Sequence, residues 1–429
     1  MTMHSQRDRD GMLLVLPVPL RVEEDNIWFE AQACNGLERW ADNFGKVLIA
    51  APVLPSDLLA KDNMTIWRGI TTLAKPERFE FIPLPWAYSM REFLTHYRET
   101  RSLLATLIAR CQYLQFAIGS LWGDWAAIAA LEARKQQRAY AIHTDRVDYE
   151  VILQTSKHEA LPQRLKARAN SFLIQQYHQW IIKHCHLGLW HGQDCYRAYS
   201  AFCRNNYLIH DIHTKPNDAI SAVELAEKLE RALTDRPLRV CYAGRMDPMK
   251  APLEWVRAIA KARELGANLE AVWLGEGSLR NEMEQLIREL GLTDCIRLAG
   301  FERDRSKLLQ QIRDAHLMVF THITPESPRC LIESLICGTP IVGYSSHYAE
   351  DLVKGSGGGQ FVPIHNWQQL GEQLKTLADD RRRLAQLIQQ AAASGTHFND
   401  EVVFRERSQL IKSQLLSPHV PYIGKFAKA

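Results

Sequence analysis

The 429-residue chain carries nine cysteines, an odd number, and no two of them form a C-x-x-C pair. A disulfide framework is therefore not implied, and with Cys34, Cys241, Cys330 and Cys337 in apolar surroundings the thiols read as reduced, as in a cytosol. Cys185, His186, Cys195 and Cys203 gather loosely but match no zinc spacing, so no metal is assigned. Apolar runs are also short. None reaches 18 uninterrupted residues, and "MLLVLPVPL" at 12–20 is broken by prolines, so neither a signal peptide nor a membrane span is expected. The net charge of +3 is too small to argue for nucleic acid as a main partner. G-x-G-x-x-G is missing after the first strand of either half, which argues against a dinucleotide oxidoreductase. No repeat period is present, and "GSGGGQ" at 355–360 reads as a turn.

What is present is an ordinary globular composition, 46% hydrophobic and 24% charged, in a chain long enough for two domains. Short β-rich runs alternate with helical patterns, the mark of parallel sheets covered by helices on both faces. In the first half the expected strands are 12–18, 46–53, 113–119, 138–144 and 187–192, with helices at 124–137 and 162–184. The pattern turns polar and charged near 210–237 and restarts with strands at 238–244, 269–275, 295–300, 316–322, 340–344 and 358–363. Helices fall at 251–265, 278–290, 305–314 and 328–337. The expectation is an α/β protein of two doubly wound, Rossmann-like domains, 1–212 and 213–395. Residues 396–429 should supply a charged helix crossing back to the first domain, and a tail.

Two stretches carry the chemistry. In "TPESPRCLIESLICGTPIVGY" (324–344), Ser327 is positioned to cap a helix opening with Pro328 and closed by Gly338 and Pro340. The helix starts just after a strand, where its amides (Ser327, Arg329, Cys330, Leu331) would favour an anion. Glu333 falls inside the apolar run of that helix. A pairing with Arg329 four residues earlier contributes only about 0.2 to 0.5 kcal/mol, too little to justify a buried carboxylate, whereas a ribose diol would satisfy both its oxygens. In "YAGRMDPMKAPLEW" (242–255), Gly244 lets the backbone turn, and Arg245 with Lys250 suits a diphosphate, one a forked donor and the other a point charge. The competing reading is two surface cations in a solvated loop.

Taken in order, "GRMDPMK", "LGEGSLRNEMEQLIRELGL", "IRLAGF", "AHLMVFTHITPESPRCLIESLICGTPIVGY" and "GGGQFVP" resemble the donor-binding half of the retaining family 4 (group 1) glycosyltransferases over roughly 239–395. The resemblance implies the GT-B fold, two Rossmann-like domains facing a central cleft that closes on the donor. It assigns Arg245 and Lys250 to the donor diphosphate, Glu333 to the nucleotide ribose and Glu326 to the transferred sugar. Phe301 falls where the family's main chain meets the nucleobase. In the first half, "ACNGLERWADNF" resembles the start of the family's first helix, making Asn35 and Gly36 candidates beside the phosphates, and "YAIHTDRV" resembles the strand end that carries an active-site histidine, here His143. Gly36 easing helix packing and His143 as a structural histidine are the competing readings.

The sequence also departs from the family pattern. Six residues instead of seven separate Glu326 from Glu333, Pro328 lacks an amide hydrogen among positions usually glycine, and Ala251 replaces the glycine after the motif lysine. Asp8-Arg9-Asp10 is formally D-x-D but precedes the first expected strand, and no metal is inferred from it.

The resemblance implies a metal-independent, retaining hexosyl- or glycosyltransferase. It would use a UDP- or GDP-sugar as co-substrate, without a further cofactor, and a carbohydrate, lipid-linked or small-molecule acceptor. A GT-B nucleotide-sugar epimerase and a non-catalytic sugar-nucleotide-binding protein are the rivals. A cytoplasmic location is expected. The basic amphipathic stretch "RLKARANSFLIQQYHQWIIKHC" is a candidate for peripheral contact with the inner membrane face.

Overall fold

The computed structural model describes residues 8–416 apart from 25, 63–64, 158, 211 and 235–236. It divides into two compact units, Met1–His213 with Asp400–Ala429, and Thr214–Asn399. The boundaries read from sequence stood at 212 and 395.

The first unit is built on a seven-stranded parallel sheet. From edge to edge its strands are Asn206–Ile209, Leu187–His191, Ala141–Thr144, Cys111–Ala117, Asp8–Val15, Lys46–Pro52 and Phe79–Leu84. Helices cover both faces, so the central strands are apolar without alternation. Leu13 and Val15 enter one buried cluster with Leu48, Leu114 and Phe116, while Met12 and Leu14 enter the other with Val47, Ile49 and Tyr113. The first strand runs from residue 8 to 15, not 12 to 18. Pro17 and Pro19 have no amide hydrogen to extend a ladder, and the Asp8-Arg9-Asp10 triplet opens the strand instead of preceding it. Leu20–Glu23, Asn26–Glu30 and Trp67–Gly69 form a small antiparallel sheet.

The helix Asp400–Leu415 belongs to this unit. Phe404 meets Trp40 edge to face at 5.0 Å, the Arg407 guanidinium lies 4.9 Å from the Trp40 ring, and Lys412 Nζ donates to the Asn43 carbonyl at 2.6 Å.

The second unit holds a six-stranded parallel sheet ordered Ile296–Gly300, Leu269–Leu274, Leu238–Ala243, Leu317–Phe320, Ile341–Tyr344 and Gly359–Val362. In chain order this is 3-2-1-4-5-6. The order reverses between Leu238–Ala243 and Leu317–Phe320, and the loops leaving their carboxyl ends flank the switch point where doubly wound sheets bind ligands.

Beneath the sheet, Lys228 of helix Ala222–Ala232 is 1% exposed and donates to the Cys337 carbonyl and the Thr339 hydroxyl, at the end of helix Arg329–Ile336. Burial lowers its pKa to about 7. Between pH 7 and the unfolded value near 10.5 the unfolded chain binds the extra proton, so this residue makes stability rise with pH, by at most about 1.4 kcal/mol per unit. The gap in unfolding free energy, wild type minus Lys228→Met, should therefore grow from pH 7 to pH 10 in parallel denaturant titrations. A constant gap would show that Lys228 titrates normally.

Candidate active site

The loop following Ala243 makes its turn at Gly244, where a Cβ would stand 2.7 Å from the Tyr242 hydroxyl. Its neighbour after Leu274 is equally constrained, because a Cβ on Gly275 would lie 2.0 Å from the Gly244 carbonyl oxygen. The Gly244 amide donates to the Leu274 carbonyl and Trp273 Nε1 donates to the Gly244 carbonyl, each at 2.9 Å. Contact between the two backbones thus demands glycine. The loop then passes Arg245 and forms a 3-10 turn, Pro248–Lys250, ending at Ala251 with φ +44° and ψ +54°. A left-handed residue with a Cβ stores roughly 1 to 2 kcal/mol of strain, which explains why a glycine suits this position.

The second loop, after Phe320, is tied to the first. Thr321 Oγ1 donates to the Lys250 carbonyl at 2.8 Å, and the Ile323 amide donates to the Met249 carbonyl at 3.1 Å. Lys250 is buried and its Nζ donates to Glu326 Oε1 at 2.7 Å, an oxygen that also accepts from Thr324 Oγ1. Arg245, by contrast, is 60% exposed in its side chain and lies 3.3 Å from Asp247.

The helix Arg329–Ile336 opens one residue later than expected. Pro328 occupies the cap position with no side-chain cap bond, so Ser327 is not the cap. The Leu331 amide is already spent on the Pro328 carbonyl at 3.2 Å, and its side chain is in the core. The Arg329 and Cys330 amides, in the helix's first turn, have no backbone partner among the described residues. At the far end Gly338, at φ +62°, donates to the Leu335 carbonyl and closes the helix.

Glu333 is 7% exposed, and its partner is not Arg329. Arg305, first residue of helix Arg305–Asp314, donates from Nη1 to Glu333 Oε1 at 2.6 Å and from Nη2 to Asp218 Oδ2 at 3.4 Å. Burial works against the Arg305 charge, yet Glu333, and after it Asp218, more than offset this and raise its pKa. The other Glu333 oxygen has no hydrogen-bond partner among the described residues.

Electrostatics shows how closely these groups are gathered. The Cys330 thiol is pushed up to about 12, first by burial, while Lys250 opposes the shift and Glu333 and Glu326 add to it. Burial also raises Tyr242 well above the usual phenol value, and Cys330, Glu326, Arg245 and Asp247 all act on it. Tyr242 Oη and His322 Nε2 share a hydrogen bond of 2.6 Å. His322 stays neutral because burial, and then Lys250, hold its pKa well below 6.5. Arg305, Tyr242, His322 and Thr321 were not visible as site residues in the sequence. Arg305 lies 28 positions from its partner, beyond any local spacing rule. Phe301, in the loop after Gly300, is half-buried and not a core residue.

Gly36 and His143 are in the first unit. Gly36 is the sixth residue of helix Ala31–Asn43, whose amides at Gln32 and Ala33 are capped by the Glu30 carboxylate. A Cβ on it would lie 2.8 Å from His213 Cε1 and 3.2 Å from Phe404. A side chain larger than hydrogen therefore has no room at this position. Asn35 is on the same helix, past its opening. His143 is the third residue of its four-residue strand, and its ring stacks on His191 with centroids 6.3 Å apart; His191 lies 6.5 Å from His210.

Residues 224–394 match the model of the family described as glycosyl transferases group 1. The match falls within the second unit.

Among curated relatives, a Campylobacter jejuni N-acetylgalactosaminyltransferase acting on a diphospho-undecaprenol-linked sugar is 31% identical over 171 residues, 38% of this chain and 45% of that protein. The alpha-D-kanosaminyltransferase of Streptomyces kanamyceticus is 27% identical over 173 residues, 39% and 44% respectively. The chain thus spans just under half the length of these relatives. Solved structures align almost throughout. Anabaena HepE in complex with UDP and glucose covers 94% of this chain and 99% of its own, with a TM-score of 0.63 at 15% identity. Sucrose-phosphate synthase from Thermosynechococcus elongatus gives 0.67 at 14%, with coverage of 94% and 99%. The fold is that of GT-B glycosyltransferases.

Removing Arg305 would leave the largely buried Glu333 charge uncompensated, so Arg305→Met should cost roughly 3 kcal/mol at pH 7. Much of that loss should be recovered in Arg305→Met/Glu333→Leu, measured by chemical denaturation. Additive losses in the double variant would mean that the pair is not coupled.

Proposed function

We propose that this protein is a retaining, metal-independent glycosyltransferase that takes a hexose from a UDP-sugar and passes it to a hydroxyl of a carbohydrate or lipid-linked acceptor. The observation that carries the reading is the gathering of Lys250, Glu326, two unpartnered helix amides and an Arg305-held Glu333 around one switch point. The group 1 family match over 224–394 supports it. So do structural neighbours solved with UDP or UDP-glucose and a relative named for an undecaprenol-linked substrate.

In this reading the ribose hydroxyls meet the Glu333 oxygen that Arg305 leaves open. The diphosphate meets the Arg329 and Cys330 amides and the remaining donors of Lys250, with Arg245 closing over it from solvent. The bond from sugar C1 to the β-phosphate oxygen breaks and its electron pair stays on UDP. These donors stabilise the charge that develops there, in a site where water is largely displaced. Glu326, oriented by Lys250, accepts from a sugar hydroxyl and holds the ring. The acceptor oxygen forms the new C1–O bond on the face the phosphate is leaving, and its proton passes to that phosphate oxygen. Charge neutralisation rests on fixed cations and amides, which is why no divalent ion is invoked.

The test is turnover with a panel of UDP-sugars and simple acceptors in EDTA, with the product's anomeric proton read by NMR. The expected outcome is transfer that survives EDTA and keeps the donor's configuration. Lys250→Ala should lower kcat at least a hundredfold, as loss of one oxyanion donor does. An inverted product would refute retention, and UDP binding without transfer or hydrolysis would favour a sensor.

A further inference from the structure

The helix Leu161–Lys183 buries one narrow stripe. Ser171, Ile174, His178, Ile181 and Ile182 face the core, and Ser171 Oγ donates to the Tyr149 carbonyl. At 100° per residue, Leu161, Leu165 and Phe172 fall on a line well away from that stripe. They are 65%, 55% and 61% exposed. Arg168 continues the same line, Arg164 and Lys166 stand off it to opposite sides by about 80° and 120°, and all three are exposed. Over 157–183 the charged residues are Lys157, Arg164, Lys166, Arg168 and Lys183 against Glu159 alone, whereas the whole chain is nearly balanced. Pro162 is in the first turn, and nearly every side chain from 161 to 169 is exposed to solvent.

We propose that this helix start is a docking surface for an anionic phospholipid bilayer. The three apolar side chains would enter the boundary between headgroups and acyl chains. Arg164, Lys166 and Arg168 have long stems that let their charges reach lipid phosphates while the helix lies in the interface plane. The charge asymmetry selects this occupant over a second copy of the chain, because two such faces would bring six cations together. No helix among the described residues is long and apolar enough to cross a membrane, so attachment through this surface would be reversible. The inference stands on the first unit alone and does not depend on the proposed transfer reaction.

The full chain, without donor or acceptor, would be sedimented with vesicles of phosphatidylcholine alone and with an equal part of phosphatidylglycerol. Binding is expected only to the anionic vesicles and should weaken with salt. Arg164→Gln/Lys166→Gln/Arg168→Gln should reduce partitioning roughly a hundredfold. Leu165→Glu/Phe172→Glu should abolish it while leaving the melting temperature unchanged, since these positions are exposed. Equal binding to both vesicle types, unchanged binding of either variant, or no binding of wild type would overturn the proposal. So would a concentration-dependent dimer lost in the same variants without vesicle binding.

Discussion

A carboxylate among the apolar residues of a helix persists only if something compensates its lost hydration. Here that is the Arg305 guanidinium, brought to Glu333 from the start of a different helix. The pairing occupies one carboxylate oxygen and fixes the side chain's direction, so the second oxygen is presented in a defined orientation. A carboxylate held this way is a preorganised acceptor. A freely rotating one would lose entropy on every binding event.

The same logic extends to the neighbouring groups. Lys250 is desolvated but paired with Glu326, and the two loops that carry them are joined by bonds from Thr321 and Ile323. Each loop leaves the carboxyl end of a strand beside the point where strand order reverses, and the sheet thereby sets where the charges stand. Close backbone approach between Gly244 and Gly275 ties the first of these loops to the turn after Leu274. The strained Ala251 shows the same economy: its left-handed backbone survives because the surrounding turn demands it.

Much of this was legible beforehand, for identifiable reasons. Every strand of the second sheet was visible because parallel central strands are near-continuous runs of Val, Ile, Leu and aromatic residues. Phe79–Leu84 was not, since Pro83 disguised it; proline is tolerated there because the strand is at the sheet edge. The four-residue Asn206–Ile209 at the opposite edge was too short and polar to register. Lys250, Glu326 and Glu333 stood out through local motif spacing, but Arg305, His322 and Tyr242 act through long-range contacts that no periodicity reports. Local rules also misled. Ser327 was the expected cap, yet Pro328 holds that position. Arg329, at helical spacing from Glu333, was too weak a partner to account for a buried carboxylate, and the partner is Arg305, which tertiary packing supplies.

The central claim is that Glu333 grips a nucleotide ribose. Calorimetric titration of UDP and 2′-deoxy-UDP into wild type and Glu333→Gln forms a cycle between one side chain and one hydroxyl. The account predicts that deleting the hydroxyl weakens binding to wild type tenfold or more, the scale of a hydrogen bond to a charged group, and changes little in the variant. An equal loss in both proteins would place the ribose elsewhere and contradict it.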